Sequence, residues 1–388
     1  MNNSYKPFAT PILLTRPLLP NLEELSEILK IIWETKWVTN GGKKMFKAGF
    51  STKLYELELA LRQRLKVPRI TVFNNGTTAL MIAVGELFKN GEVITTPFTF
   101  PATPHALTLN NITPVFCDID NETLTIDVEK IESLITDKTT GILGVHVFGM
   151  PCNVKKIHEI AEKYHLKVIY DAAQVFDLEI DGIGIGNFGD VSMFSFHATK
   201  LFNTIEGGAL TYKSVELENR FELLKDFGIK SEDEVILPGI NGKLNEIQAA
   251  IGLLNLKIID EEREKRQAII NTYCKYLEGV KGIIIMKMPQ NIKHSLQYFA
   301  IRISNDFGLS RDEVHGELKK YNVFSRKYFY PLCSEYPYYR GLPSAKSENL
   351  PVANQVVKEV LCLPLYGDLQ RNEVEIICQI IKEFQLSK

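Results

Sequence analysis

No CxxC pair occurs among the six cysteines (Cys117, Cys152, Cys274, Cys333, Cys362 and Cys378). Their scatter excludes a zinc ribbon and a secreted disulfide framework. No run of about 18 apolar residues is present, which removes a membrane-spanning helix, and the N-terminal Met-Asn-Asn-Ser-Tyr-Lys-Pro holds no apolar signal core. A soluble protein of the reducing cytoplasm is expected. Neither sign of charge dominates: 45 basic against 47 acidic residues leave a formal net charge of -2, so there is no global electrostatic case for nucleic acid or an anionic membrane as partner. A small anionic ligand would need a local site. Repeats and low-complexity tracts are absent, and no metal-ligating cluster is expected. With 388 residues, 45% of them apolar, the chain is long enough for two domains.

The first 22 residues contain Pro7, Pro11, Pro17 and Pro20, which favour an extended arm packed on a neighbouring domain or subunit. Asn21 is the expected N-cap of a first helix, with Glu24 as its capping-box partner. That region closes at Gly41-Gly42, and a second helix is expected over 51–65. The strand Ile70–Phe73 then enters Asn74-Asn75-Gly76-Thr77-Thr78, and a helix follows directly. Strand, small polar turn and helix N-terminus present backbone N–H groups to a phosphate as readily as they cap a helix. Further strands are expected at 92–96, 115–119, 141–147 and 167–170, alternating with helices. This pattern predicts an α/β domain with a mostly parallel sheet covered by helices on both faces. Ligand groups then gather at the strand C-terminal ends, where Asp171 stands. The stretch 238–250 is expected to continue as a long helix through roughly Cys274, with a domain boundary inside it. Strands at 282–286 and 298–303 and a helix at 310–321 make the remainder a smaller α+β domain. The expected division is an arm over 1–22, a large domain over 23–255 and a small domain over 256–388.

The stretch Val191–Leu210 brackets a polar turn, Ser195, His197, Thr199 and Lys200, between two apolar runs. A lysine between buried strands loses solvation, which lowers its pKa toward that of an imine-forming nucleophile; an exposed turn lysine is the alternative. Just upstream, Gly184-Ile-Gly-Asn-Phe-Gly189 matches GxGxxG. It precedes a strand rather than a helix and so lacks the dipole of a dinucleotide site. These glycines are read as a turn, with an NAD-dependent sugar reductase or epimerase as the rival from another enzyme class.

A phosphate-type turn, a strand-end acid and a lysine on one sheet are the groups that pyridoxal phosphate needs. The lysine binds its aldehyde, the acid keeps the ring nitrogen protonated, and backbone donors hold the phosphate. At this point Asn75–Ala79, Pro97–Thr103, Asp171-Ala-Ala-Gln174, Ser195–Lys200 with Glu206-Gly-Gly208, and 241–250 resemble the DegT/DnrJ/EryC1/StrS family of nucleotide-sugar aminotransferases.

The resemblance implies an aspartate-aminotransferase-type (fold type I) enzyme dependent on pyridoxal 5'-phosphate, with the pyridoxamine form as intermediate. It implies Lys200 as the catalytic lysine and Asp171 as the partner of the pyridinium. Gln174 would bond the ring hydroxyl, Phe100 would stack on the ring, and Gly76, Thr77 and Ser195 would hold the phosphate. Asn241 would be contributed across a homodimer with shared sites. His197 lies beside cofactor and sugar or is an ordinary turn histidine. Asn203 and Glu206 orient the substrate or brace the turn. Arg326 and Lys327 meet the diphosphate or form a solvated basic turn, and Lys243 stands where many relatives carry arginine. Members that dehydrate a 3-hydroxy sugar carry histidine in place of Lys200, so transamination is expected, with L-glutamate as donor. The Ser195–Gly208 combination is similar to that of members making dTDP-4-amino-4,6-dideoxyglucose; a 3-keto sugar is the nearest rival substrate.

Overall fold

The computed structural model describes residues 5–40 and 52–386; Gly41-Gly42 and Ser51 lie outside them. Helices α1 (Leu22–Thr35) and α2 (Lys53–Arg64) precede β1 (Arg69–Phe73), α3 (Gly76–Leu87), β2 (Glu92–Thr95), α4 (Ala102–Thr108) and β3 (Thr113–Phe116). There follow β4 (Thr139–Val145), α5 (Val154–Tyr164), β5 (Lys167–Asp171), β6 (Val191–Ser195), β7 (Gly208–Tyr212) and α6 (Val215–Leu224). The α1 N-terminus differs from the capping-box expectation: the Asn21 side chain accepts from the amides of Glu23 and Glu24, while the Glu24 carboxylate lies 3.6 Å from Lys257 Nζ.

The seven strands form one sheet in the order β1-β7-β6-β5-β4-β2-β3. Pairs from β3 across to β6 are parallel, and β7 runs antiparallel to both of its neighbours. Reversal of β7 has a local consequence. Its first residue, Gly208, pairs with Ser195 at the end of β6 and with Phe73 at the end of β1, so three chain segments meet at one sheet edge. A Cβ on Gly208 would lie 2.6 Å from Gly76 Cα, and glycine is what allows the phosphate-type turn to sit on that edge. Helices cover both faces, and the central strands are accordingly buried almost throughout.

Helix α7 (Glu246–Leu277) is the 32-residue spine of the molecule, about 48 Å long at 1.5 Å per residue. Ala249 and Ile259 pack with Leu57, Leu61 and Phe196 of the large core. Farther along, Ile269, Tyr273 and Leu277 pack in a second core with Ile301, Leu318 and Ile377. The change of core therefore falls past residue 259, beyond the expected 255/256 boundary. The second core is built by β8 (Ile283–Ile285), β9 (Phe299–Ile303), α8 (Arg311–Lys320), α9 (Pro351–Glu359), β10 (Val360–Leu363) and α10 (Arg371–Leu386), with an antiparallel sheet in the order β8-β9-β10. The proline-rich arm lies on this lobe of its own chain: Ile12 is 1% exposed within its core and bridges Val323.

The lobes are also joined by charge. Asp177, whose side chain is 1% exposed, receives Arg64 at 2.6 Å, Lys293 at 3.0 Å and Arg263 at 3.6 Å. A buried carboxylate with three cationic neighbours is compensated, and it fixes the turn that carries Asp171 and Gln174.

Candidate active site

A cleft of about 760 Å³ opens at the C-terminal edge of the large sheet, lined from the α3 turn, the β5 and β6 ends and the small lobe. Ser195 ends β6, and the chain then folds on itself. The Phe196 amide donates to Gly207 O (2.8 Å), the Thr204 amide to Phe196 O (2.9 Å) and the Lys200 amide to His197 O (2.8 Å). This closed loop sets Lys200 in the cleft, its Nζ 5.8 Å from the centre of the Tyr298 ring. Desolvation lowers the amine below the ordinary lysine range, against the opposing influence of Tyr328 and Asp171. Lys200 Nζ makes no hydrogen bond among the described residues, the condition of an amine available to react.

Asp171 is 5% exposed at the end of β5. Its Oδ1 accepts from the Ala173 amide (3.0 Å) and its Oδ2 from the Thr103 hydroxyl (2.8 Å). Desolvation raises its pKa, because two neutral donors and a distant ammonium do not replace the lost water. Gln174 is held from both sides: its Oε1 accepts from the Phe148 amide at 2.9 Å and its carbonyl accepts from Ser295 Oγ at 3.0 Å. That leaves Nε2 as a donor facing the cleft.

At the α3 N-terminus the Asn75 side chain accepts from the Thr78 amide at 2.7 Å and its carbonyl from the Ala79 amide at 3.2 Å. The Gly76 and Thr77 amides make no hydrogen bond among the described residues. They point into the cleft beside Ser195 at the positive end of a 12-residue helix. The Phe100 ring is 51% exposed over the same space.

His197 and Glu206 line the cleft mouth, with His197 Nε2 3.5 Å from Glu206 Oε1. The Thr199 amide donates to His197 Nδ1 at 3.2 Å. A backbone N–H can only donate, so Nδ1 accepts and the ring proton resides on Nε2, facing Glu206. Arg326 reaches the cleft from the small lobe, its guanidinium 4.7 Å over the Tyr328 ring.

Two of the residues offered for the substrate lie away from the cleft. Asn203 is fully buried, donating to Leu18 O (3.0 Å) and accepting from the Ile205 amide (3.1 Å), so it braces the loop and does not face the cleft. Lys327 turns away to Asp312 at 3.0 Å on the outer side of the small lobe. Asn241 is exposed and lies outside its own chain's cleft, and Lys243 is paired with Asp226. The GxGxxG glycines form a turn against the α2–β1 connection: a Cβ on Gly184 would lie 2.1 Å from Leu65 O, so close packing accounts for that glycine.

The description of the DegT/DnrJ/EryC1/StrS aminotransferase family matches residues 23–382. The chain belongs to this family. The aminotransferase is 45% identical over 371 residues to the dTDP-4-amino-4,6-dideoxy-D-glucose transaminase of Escherichia coli, covering 95% of this chain and 96% of that one. It is 42% identical over 376 residues to the enzyme of the same name from Shigella dysenteriae, covering 97% and 99%. Its fold matches the crystal structure of DesI in the presence of its TDP-sugar product, with a TM-score of 0.90, 30% identity and coverage of 98% and 94%. Helicobacter pylori PseC, an aminotransferase involved in the biosynthesis of pseudoaminic acid, aligns with a TM-score of 0.89 at 26% identity over 98% of this chain and 100% of that one.

Aminotransferases of this family depend on pyridoxal phosphate, and the residues of this cleft fit that group. The under-compensated Asp171 carboxylate suits a cationic ring N–H, the two unpaired amides of α3 suit a phosphate dianion, and Phe100 offers a ring face.

Sequence reasoning missed Thr103, Tyr298, Tyr328 and Gln297. Gln297, 2% exposed, accepts from the Leu201 amide at 2.5 Å and donates to Thr199 O at 2.9 Å, gripping the backbone on either side of Lys200. Gln297→Leu is expected to lower stability by about 2–4 kcal/mol, since two buried backbone groups lose their partners. Urea denaturation, with turnover measured alongside, checks it; a variant as stable as wild type would refute the role.

Proposed function

We propose that the aminotransferase binds pyridoxal phosphate and transfers an amino group from L-glutamate to dTDP-4-keto-6-deoxyglucose, yielding the 4-amino sugar and 2-oxoglutarate. The observation that carries this reading is the desolvated, unbonded amine of Lys200 in one cleft with Asp171 and the open N-terminus of α3. The 45% identity to the Escherichia coli transaminase supports the choice of sugar.

When bound, pyridoxal phosphate supplies an aldehyde carbon that carries the amino group and a ring that takes up the electron pair of a broken C–H bond. The residues do the rest. Asp171 would hold the proton on the ring nitrogen. The Gly76 and Thr77 amides and Ser195 Oγ would hold the phosphate, Gln174 Nε2 would donate to the ring hydroxyl, and Phe100 would offer its face to the ring. Lys200 Nζ would be the group that takes a proton from one of the two carbons flanking the transferred nitrogen and returns it to the other, a role that a lowered amine pKa favours. His197 Nε2 and Glu206 face the sugar, and Arg326 meets the diphosphate.

The active unit is read as a homodimer, with Asn241 completing the phosphate site of the other subunit. Exposed Phe227 (47%), Ile236 (48%) and Ile240 (44%) lie on the hydrogen-bonded segments that carry that asparagine, an apolar patch suited to burial against a second copy. The six cysteines are all unpaired, as a reducing cytoplasm would keep them.

Incubation with glutamate and separate 3-keto and 4-keto dTDP-sugars tests the reaction. A new C–N bond at C4, located by NMR, is expected; amination at C3 alone, or no ketone-dependent release of 2-oxoglutarate, would overturn it.

A further inference from the structure

Three consecutive donations cross the floor of the phosphate-type turn. The Thr78 amide donates to Asn75 Oδ1 (2.7 Å), Asn75 Nδ2 donates to Asn74 Oδ1 (3.3 Å), and Asn74 Nδ2 donates to Asn241 O (3.2 Å). The Asn74 amide adds a bond to Gly242 O at 2.7 Å, and the Gly242 amide is anchored on Lys225 O at 2.9 Å. Packing is close: a Cβ on Gly242 would lie 3.2 Å from Thr78 Cγ2. The main chain at Asn241 is therefore fixed by Asn74 alone of the turn residues, whereas the Asn241 side chain makes no hydrogen bond among the described residues and is exposed.

We propose that Asn74 is a positioning residue acting in trans: by holding the Asn241 main chain it aims that side chain into the cofactor-phosphate site of the other subunit. The inference rests on the shared-site dimer above and extends it. The amide that caps α3 in one subunit and the asparagine lent to the neighbour belong to one hydrogen-bonded chain. Asn74 also borders the cleft of its own subunit, but the phosphate-type turn there keeps its shape without the Asn74 side chain, because Asn75 retains its bond to Thr78.

Hybrid dimers assembled from two differently tagged full-length chains separate the two effects. In the trans arrangement one chain carries Lys200→Ala with Asn74→Ala and the other is wild type. In the cis arrangement one chain carries Lys200→Ala and the other Asn74→Ala. Each hybrid holds one site able to bond pyridoxal phosphate, whose affinity is read by titrating its visible absorption band. The trans hybrid is expected to bind about tenfold more weakly than a hybrid with Lys200→Ala alone, the loss associated with a misplaced hydrogen bond to a charged group. The cis hybrid should stay within about twofold. Equal weakening in both arrangements, or weakening in cis only, overturns the proposal. A third hybrid with Asn241→Ala in trans separates the levels: if it weakens binding and Asn74→Ala does not, the positioning role fails and the shared site stands. If neither weakens binding, the shared site itself fails. Should Asn74→Ala not assemble, Asn74→Ser, which retains a short donor, takes its place with the same arms and a smaller expected trans effect.

Discussion

Replacing Lys200 by alanine is expected to abolish the visible band of bound pyridoxal phosphate and to lower kcat by roughly 10⁴-fold or more, because nucleophile and proton carrier are lost together. Absorbance of the purified variant and single-turnover assays with glutamate check this; a variant with wild-type turnover would sink the assignment. Lys200→Met, which keeps most of the side-chain volume, isolates the cost of burying the amine. Burial sets the folded pKa of Lys200 below its unfolded value, so the folded state binds fewer protons than the unfolded one. Stability then rises with pH between the two values. The cofactor-free Lys200→Met protein is therefore expected to melt above cofactor-free wild type at neutral pH. The gap should close as pH approaches the ordinary lysine value near 10.

Asp171→Asn carries the second large effect, a fall in kcat of about 10²- to 10³-fold, since a preorganised charge is removed from the point where the ring nitrogen must stay protonated. The fold should tolerate the change. An asparagine can turn its oxygen to the Ala173 amide and its amide group to Thr103, whose hydroxyl can accept and then donate to Thr99 at 2.8 Å. The stability sign is opposite to that of lysine. A raised carboxyl pKa means that the folded state binds more protons than the unfolded one, so cofactor-free wild type loses stability as pH rises from the ordinary aspartate range through the folded value. The asparagine variant lacks that loss and should melt higher above the window, with the difference vanishing in acid. Melting curves across pH, beside kcat, decide it; an unchanged kcat would remove Asp171 from the site.

The residues that the sequence revealed share a property: each lies in a short segment where residue type alone is informative, such as an acid after an apolar strand or a lysine in a turn between two apolar runs. Thr103 and Gln297 are invisible by that route. Their partners lie 68 residues away at Asp171 and 96 away at Leu201, and nothing local distinguishes them from an ordinary helical threonine or strand-edge glutamine. In the sequence Asn203 stands open between ligand and brace, because a polar side chain beside a reactive lysine suits either role, and only its neighbours in space, the Leu18 carbonyl and Asn255, show the brace. The direction of β7 was equally illegible, since a strand buried on both faces has the same apolar pattern in either orientation. The small lobe gave up β8, β9 and α8 but not α9, β10 or α10. The last of these is amphipathic, yet its stripe faces a core whose other walls come from the arm and from α7.

Helix α7 bears on how such enzymes can be recombined. Its first half is bound to the large core, where Glu246 accepts from the Lys53 and Leu54 amides; its second half is bound to the small one, where Glu262 joins Arg266 and the Gly367 amide. The seam between the lobes thus runs through unbroken helix and not through a loop. A chimaera of two relatives joined at that seam would splice one helix whose ends answer to different interiors. Exchange of sugar preference between relatives is therefore better sought by grafting cleft-mouth loops than by swapping lobes.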